Sequence, residues 1–329
     1  MRAMVINGFG GPEVLHIEDI PMPAPKPGEV LIQVAYASVN PADWKCREGW
    51  LAQFFDYKFP FVVGFDAAGI IAGLGEGVTE YKVGDRVVTS SNQGLGENGS
   101  YEEYLTVAID RVAHLADSVD FKTAASIPTA AVTSWEALYG SGDLKAGQTV
   151  LIHGGAGGMG SFAIQFAKHT GARVAATCGP ANLDYVKSLG ADRAVDYRSE
   201  NVLNVLDAIL AWAPGGVDLI VDTVGQGTLP DAIKMTKPGG VIAPIGTLIQ
   251  NEPMADPAEA EKKGVRLIYT MSNRAQAGNQ LRSIVDLYNK GVFKAPHLTE
   301  LPLEEAGEAH RRVKDGHVRG KIVLKVADL

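Results

Sequence analysis

Apolar and polar positions change rhythm about a third of the way along the chain. Up to about residue 122, "MRAMVI", "VLHIEDI", "EVLIQVAYASV", "AAGIIAGLG" and "DRVVTS" are short apolar or alternating runs broken by Gly, Pro and Asp, the pattern of strands joined by turns. The proline-spaced "PMPAPKPGE" (21–29) is short and flanked by strands, which favours an extended connector over a flexible linker. "SSNQGLGENGSYEEY" (90–104) is too polar and glycine-rich for a core element and reads as a long loop. Beyond 122 the alanine-rich "FKTAASIPTAAVTSWEALY" has helical spacing. Strands "TVLIH", "RVAATC", "RAVDY", "VDLIVDTV", "GVIAPIG" and "VRLIYTM" then alternate with helical segments such as "SFAIQFAKHTG" and "NVLNVLDAILAW". That alternation implies βαβ units and six parallel strands, a doubly wound α/β sheet. From about 272 a helix "AQAGNQLRSIVDLYNKG", a strand "HLTELPL", a helix "EEAGEAHRRVKDG" and a strand "GKIVLKV" return to a mixed style.

Between the first two strands of the alternating part stands "GAGGMG", with Gly155, Ala156, Gly157, Gly158, Met159 and Gly160 in the order G-x-G-x-x-G. None of the six carries a reactive group. Strand before, helix after and a second strand at the right interval give the pattern its weight. A pyrophosphate can approach a backbone without side chains, and the N–H groups at the helix start face it with the positive dipole end. The expected ligand is therefore a nicotinamide dinucleotide.

Which one depends on the end of the second strand, where an NAD site places an Asp or Glu. Here Cys178 and Gly179 occupy the place, and the first acid, Asp184, lies in the next helix. With no carboxylate to repel a 2′-phosphate, NADPH is the expected cofactor. Asn182, Tyr197 and Arg198 are candidates to bond that phosphate, with Tyr197 packing on adenine as the alternative.

Composition removes other classes. The 329 residues carry a net charge of −8, which gives no footprint for nucleic acid or anionic membrane. No apolar run approaches the roughly 20 residues of a membrane span, and "MRAMVINGFGG" lacks the apolar core of a signal peptide, so a cytoplasmic location is expected. Cys46 and Cys178 are the only cysteines, too few for a disulfide framework or a four-cysteine zinc site.

"ASVNPADWKCREG", "GFDAAG", "GSYEEY", "PTAAVTSWEAL", "HGGAGGMG" and "RGKIVL" together resemble the medium-chain dehydrogenase/reductase superfamily, in its zinc-free, zeta-crystallin-like quinone oxidoreductase branch. The resemblance implies a GroES-like β-barrel catalytic domain from 1–122 and 272–329, with a Rossmann domain from 123–271 inserted. Zinc relatives need a Cys where this chain has Asn40, a His where it has Phe65 and a third ligand near Thr129–Val132, so no metal is expected. By the same correspondence Lys45 takes a proton-relay position, with a solvated surface lysine as the alternative, and Asp66 supports the loop. Tyr57 is a second candidate donor or an aromatic wall, beside Phe54, Phe55 and Phe61. Asn40 and Thr133 would lie near the nicotinamide, as would Val224, Ile245, Met271 and Ser272 at later strand ends. The implied activity is hydride transfer from NADPH to a quinone. The alternatives are a 2-alkenal or enone double-bond reductase and a non-catalytic NADPH-binding crystallin-like protein. A homodimer paired through "VRLIYT" is implied as well.

Overall fold

The computed structural model describes residues 1–91, 93, 96–199, 205–225, 227–246, 253–271 and 274–329. The chain divides into two units, Met1–Val132 with Arg274–Leu329, and Thr133–Asn273.

In the first unit, β1 (Arg2–Ile6), β2 (His16–Asp19) and β4 (Phe61–Val62) form a small sheet in the order β2-β1-β4. A larger sheet runs β15 (Leu298–Pro302), β16 (Lys321–Lys325), β3 (Glu29–Val39), β5 (Asp66–Leu74), β6 (Arg86–Ser90), β8 (Val112–His114), with β7 (Tyr104–Ala108) also paired to β3. Val30, Ile32 and Val34 alternate inward along the first half of β3, as a half-exposed strand requires, and pack with Ile71, Val87 and Leu105. Farther along, residues on both faces are buried. Helix α2 (Phe121–Ala125) packs on β3 and β5, and the first unit extends past 122 to Val132.

The alanine-rich segment is not one helix. Pro128 lacks the N–H and the space to continue α2, so α2 stops and α3 (Pro128–Trp135) begins, running on into a widened turn over Glu136–Ser141. Helix α1 (Pro41–Arg47) follows β3, and α9 (Arg274–Asn289) and α10 (Ala306–Asp315) complete this unit.

In the second unit, β9 (Thr149–His153), β10 (Arg173–Cys178), β11 (Arg193–Asp196), β12 (Val217–Asp222), β13 (Thr236–Pro244) and β14 (Arg266–Leu267) form a parallel sheet. Among the described residues it has six strands in the order β11-β10-β9-β12-β13-β14, reversing direction of growth between β9 and β12. That order is the expected doubly wound fold, whose ligand edge lies outside the carboxyl ends of the strands at the reversal. Strand β9 is buried throughout, as it must be with helices on both faces. The intervening helices are α4 (Gly158–Thr170), α5 (Leu183–Ser188), α6 (Val205–Trp212), α7 (Ala232–Met235) and α8 (Pro257–Lys263). The expected last strand is shorter than "VRLIYTM": regular pairing covers Arg266–Leu267, after which Ile268 and Thr270 donate irregularly to Ile242 and Pro244. Among the described residues no helix is long and apolar enough to cross a membrane.

Candidate active site and nucleotide cradle

Three adjacent strands of the first unit bring polar residues together. Ile322 of β16 stands opposite Val39 of β3, and Ser38 of β3 opposite Asp66 of β5, so Lys321, Asn40 and Asp66 become neighbours despite their separation in sequence. Asn40 Nδ2 donates to Asp66 Oδ2 at 2.9 Å, and Lys321 Nζ donates to Asn40 Oδ1 at 2.5 Å and to the Val39 carbonyl at 3.1 Å. Asp66 also accepts from Ser38 Oγ at 3.0 Å and from the backbone and hydroxyl of Thr129 at 3.1 and 2.6 Å, with the Lys321 ammonium 3.7 Å away. Asp66 is wholly enclosed and Lys321 is 4% exposed. An unpaired charge at such depth is costly, and each carries the other's counter-charge. Burial lowers the Lys321 pKa, while the Asp66 and Asp43 charges raise it.

Asp43 anchors the start of α1. Its Oδ2 accepts from the Asn40 N–H at 2.6 Å and from Tyr101 OH at 3.2 Å; its Oδ1 accepts from the Phe65 N–H at 3.1 Å and from Gln93 Nε2. Burial pushes this carboxyl up to about 7 and the Asp66 charge adds to the push, against the pull of the Asn40 N–H, Lys321 and Gln93. Behind it the hydrogen bonds have one direction. Arg47 Nη1 has only hydrogens to give and lies 3.2 Å from His310 Nδ1, so Nδ1 accepts. His310 Nε2 then carries the hydrogen toward Tyr101 OH, also 3.2 Å away, and Tyr101 donates onward to Asp43. Burial first, and then the Arg47 charge, lowers His310 to about 3, which keeps it neutral.

Lys45 and Tyr57 lie elsewhere on the first unit. Lys45 is not a solvated lysine: it is 9% exposed, with Nζ 5.4 and 5.8 Å from the ring centres of Trp44 and Trp50. Tyr57 is packed edge-on against Phe9 and Phe61 and accepts a weak S–H bond from Cys46 at 3.5 Å. Burial pushes the Cys46 thiol up to about 12, as befits a packed side chain. Phe61 is enclosed in the core, whereas Phe54 is exposed.

In the second unit Gly157 caps α4, and the N–H groups of Gly158, Met159 and Gly160 open the helix with no carbonyl of their own turn to meet. A Cβ on Gly160 would stand 2.3 Å from the Gly154 carbonyl, so helix and loop touch only because the side chain is missing. Among the described residues a Cβ on Gly157 would meet only the Gly154 carbonyl, at 3.5 Å, an ordinary contact. Close packing beneath and a bare opening at a helix start suit a pyrophosphate. Gly155 N–H is held by the Thr177 carbonyl at 2.9 Å, and Ala156 is buried.

At the end of β10 the Cys178 side chain is buried, and burial together with the Asp196 charge pushes its thiol up to about 11. Gly179 and Asn182 follow in a short turn that leads into α5. Tyr197 N–H donates to the Cys178 carbonyl at 3.3 Å, which sets Tyr197 and Arg198 beside Gly179, and Arg198 Nε donates to Tyr197 OH at 3.1 Å. The Asp184 carboxylate is exposed, near Lys187. At the other strand ends Val224 and Met271 are exposed, Ile245 bridges Thr270, and Thr133 is buried in α3. Ser272 lies outside the described residues.

Sequence reasoning named Asn40 and Asp66 in this cluster but missed Lys321, Gln93, Tyr101 and His310. The available signal was slight: a lysine opening the wholly apolar "IVL" of β16, where a surface lysine is not expected. Among the described residues no group of three or more His, Cys, Asp or Glu is placed to hold a metal ion.

Two family profiles match the chain: Zinc-binding dehydrogenase over residues 189–324, and Alcohol dehydrogenase GroES-like domain over 26–117. Quinone-oxidoreductase QR1, chloroplastic, of Triphysaria versicolor is 32% identical over 343 residues, covering 99% of this chain and 98% of that protein. NADPH-dependent alkenal/one oxidoreductase, chloroplastic, of Arabidopsis thaliana is 32% identical over 334 residues, covering 98% of this chain and 79% of that protein. A solved structure described as an NAD-dependent alcohol dehydrogenase superposes with a TM-score of 0.90 at 30% identity, covering 99% of this chain and 100% of the other.

Proposed function

The chain belongs to the medium-chain dehydrogenase/reductase superfamily, in its quinone oxidoreductase branch, and from that premise we propose that it reduces quinones with NADPH and without a metal ion. The observation that carries the reading is the donor set at Asn40. An amide oxygen bonded to a buried ammonium, next to Phe65, offers zinc neither thiolate nor imidazole, and the ammonium already supplies the fixed positive charge. These residues do not fit a zinc ion, and no step runs through one.

NADPH, when bound, supplies the hydride, and the chain's residues hold, orient and stabilise. The glycine loop and the first N–H groups of α4 hold the pyrophosphate. The end of β10, which has no carboxylate of its own but faces Asp196 of β11, is assigned the 2′-phosphate, with Arg198 and Tyr197 beside it as its partners. A quinone plus hydride plus one proton gives a hydroquinone. Its acceptor oxygen gains charge as the carbon is reduced and needs a hydrogen-bond donor, the part assigned to Asn40. Such acceptors are conjugated and need less polarisation than a simple ketone, which suits a metal-free site. Lys45 and Tyr57 remain proposed proton donors of lower standing, since Lys45 lies over indoles and Tyr57 in the aromatic core.

A second reading, enone or alkenal reduction, is favoured by the alkenal/one oxidoreductase relative. Steady-state rates with an o-quinone, p-benzoquinone and a medium-chain enal decide. The quinones are expected to give the highest kcat/KM with NADPH; the enal ranking first reverses the order. Tight NADPH binding with no turnover at all indicates a crystallin-like role. The reading includes a cytoplasmic homodimer paired along the β14 edge, where Tyr269 and Met271 expose apolar surface. Light scattering at the monomer mass overturns that part.

A further inference from the structure

We infer that Lys321 is a positioning residue for this reaction, one that fixes the Asn40 amide with its carbonyl turned toward the ammonium and leaves its nitrogen as donor to the substrate oxygen. The inference rests on the reductase reading and deepens it. An asparagine amide has two orientations of nearly equal shape, and its neighbours choose between them. Lys321 Nζ has only hydrogens to offer and sits 2.5 Å from Oδ1; Asp66 Oδ2 offers lone pairs and sits 2.9 Å from Nδ2. The flipped amide sets hydrogens against an ammonium and an oxygen against a carboxylate, losing both bonds at once.

Held this way, Nδ2 spends one hydrogen on Asp66 and keeps a second. Of the groups in contact, Asp43 and Asp66 are wholly enclosed, whereas Asn40 keeps 3% and Lys321 4% of its surface; Lys321 Nζ gives hydrogens to Val39 O and Asn40 Oδ1. The ammonium does more than orient. By drawing electron density toward Oδ1 it makes the Nδ2 hydrogens better donors, because hydrogen bonds in series polarise one another where the dielectric is low. As hydride adds to the acceptor carbon, an electron pair moves onto the conjugated oxygen. That oxygen accepts the Nδ2 hydrogen bond until a proton from solvent gives the enol. The enol tautomerises to the saturated ketone or, from a quinone, by moving a proton from the reduced carbon to the second oxygen, to the hydroquinone. The positive charge of Lys321 thus reaches the reacting oxygen through an amide.

The arrangement also explains the register. Val39 O takes a second Lys321 bond at 3.1 Å, and Ser38 and Thr129 satisfy the remaining lone pairs of Asp66, so the pair has little freedom to move.

The test uses the whole enzyme and three variants: Lys321→Met, Lys321→Gln and the charge-balanced Asp66→Asn/Lys321→Met. Expected for Lys321→Met is a kcat lower by about tenfold to a hundredfold with the NADPH dissociation constant unchanged, since only the donor to the charged state is weakened. Lys321→Gln, which keeps a neutral donor to Oδ1, falls between. The double variant removes the unpaired carboxylate and protects the fold, and its kcat is expected to stay low. In 15N-asparagine-labelled protein the Asn40 side-chain amide is expected to shift in Lys321→Met before any substrate is added. A folded double variant with wild-type kcat, or an Asn40 amide resonance that Lys321→Met leaves in place, overturns the inference. Wild-type enzyme that turns over no acceptor overturns the reductase reading instead, and the amide resonance still decides the role of Lys321.

Discussion

The two units build their sites in opposite ways. In the second, Gly155–Gly160 is one contiguous run that works because side chains are missing. In the first, Asn40, Asp43, Asp66, Gln93, Tyr101, His310 and Lys321 come from far-separated segments and work because each polar group is answered by another. An absence tolerates small additions where there is room. A closed network tolerates almost no change, since each removal leaves a buried atom unpaired.

The largest effect expected from this contrast is on the first unit. Asp43→Asn turns an acceptor of four hydrogen bonds into a group with hydrogens of its own, facing Tyr101 and Gln93. The unfolding free energy is expected to fall by about 3 kcal/mol in denaturant titrations. Stability within 0.5 kcal/mol of wild type, a rough limit for a neutral change, would mean that the network does not depend on the carboxylate.

Next in size is a change that the cradle accepts and its ligand does not. Gly157→Asp has room for its Cβ and places a good capping residue at the start of α4, so thermal stability is expected to hold or rise slightly. NADPH is expected to bind about thirtyfold to a hundredfold more weakly by fluorescence titration, because a carboxylate now faces the pyrophosphate. Equal loss of stability and of binding would blur the contrast.

Acid and base behaviour sharpens it further. Asp43 is raised to about 7 in the folded chain, so its contribution to stability is full at low pH and is lost as pH rises from about 4 toward 7. His310 is lowered to about 3, so its contribution is present above about 6.5 and is lost as pH falls toward 3. The two slopes oppose each other in the wild type. Gln at 310 keeps an acceptor for Arg47 and a donor for Tyr101 but does not titrate. His310→Gln is therefore expected to show stability falling with rising pH between about 4 and 6.5, by up to about 1.4 kcal/mol per unit. A stability that rises with pH in this variant assigns the titration to other groups.

The smallest effect belongs to the exposed end of the cradle. Arg198→Ala is expected to weaken NADPH about fivefold and NADH not at all, with the difference fading at high salt. Equal weakening of both cofactors removes Arg198 from the 2′-phosphate.

The same contrast explains what the sequence made legible. The six-strand alternation and the glycine loop are local patterns, and strand order follows from the doubly wound arrangement they imply. The break at Pro128 was written in "SIPTAA" and overlooked, because helical spacing on both sides concealed a residue that cannot continue a helix. Lys321, His310 and Tyr101 were illegible for a different reason. Their role exists only once β16 lies against β3 and α10 against α1, and pairing across such distances leaves no local trace.

Deuterium transfer tests the central claim most directly. NADPH carrying deuterium at the transferable C4 position is mixed with a quinone or an enone, and the products are analysed by mass spectrometry and isotope-effect kinetics, with and without a zinc chelator. The expected result is a primary isotope effect on NADPH oxidation, one deuterium at the β-carbon of the reduced enone, and no response to the chelator. Oxidation that shows no isotope effect, a product free of deuterium, or activity abolished by chelation and restored by zinc contradicts it.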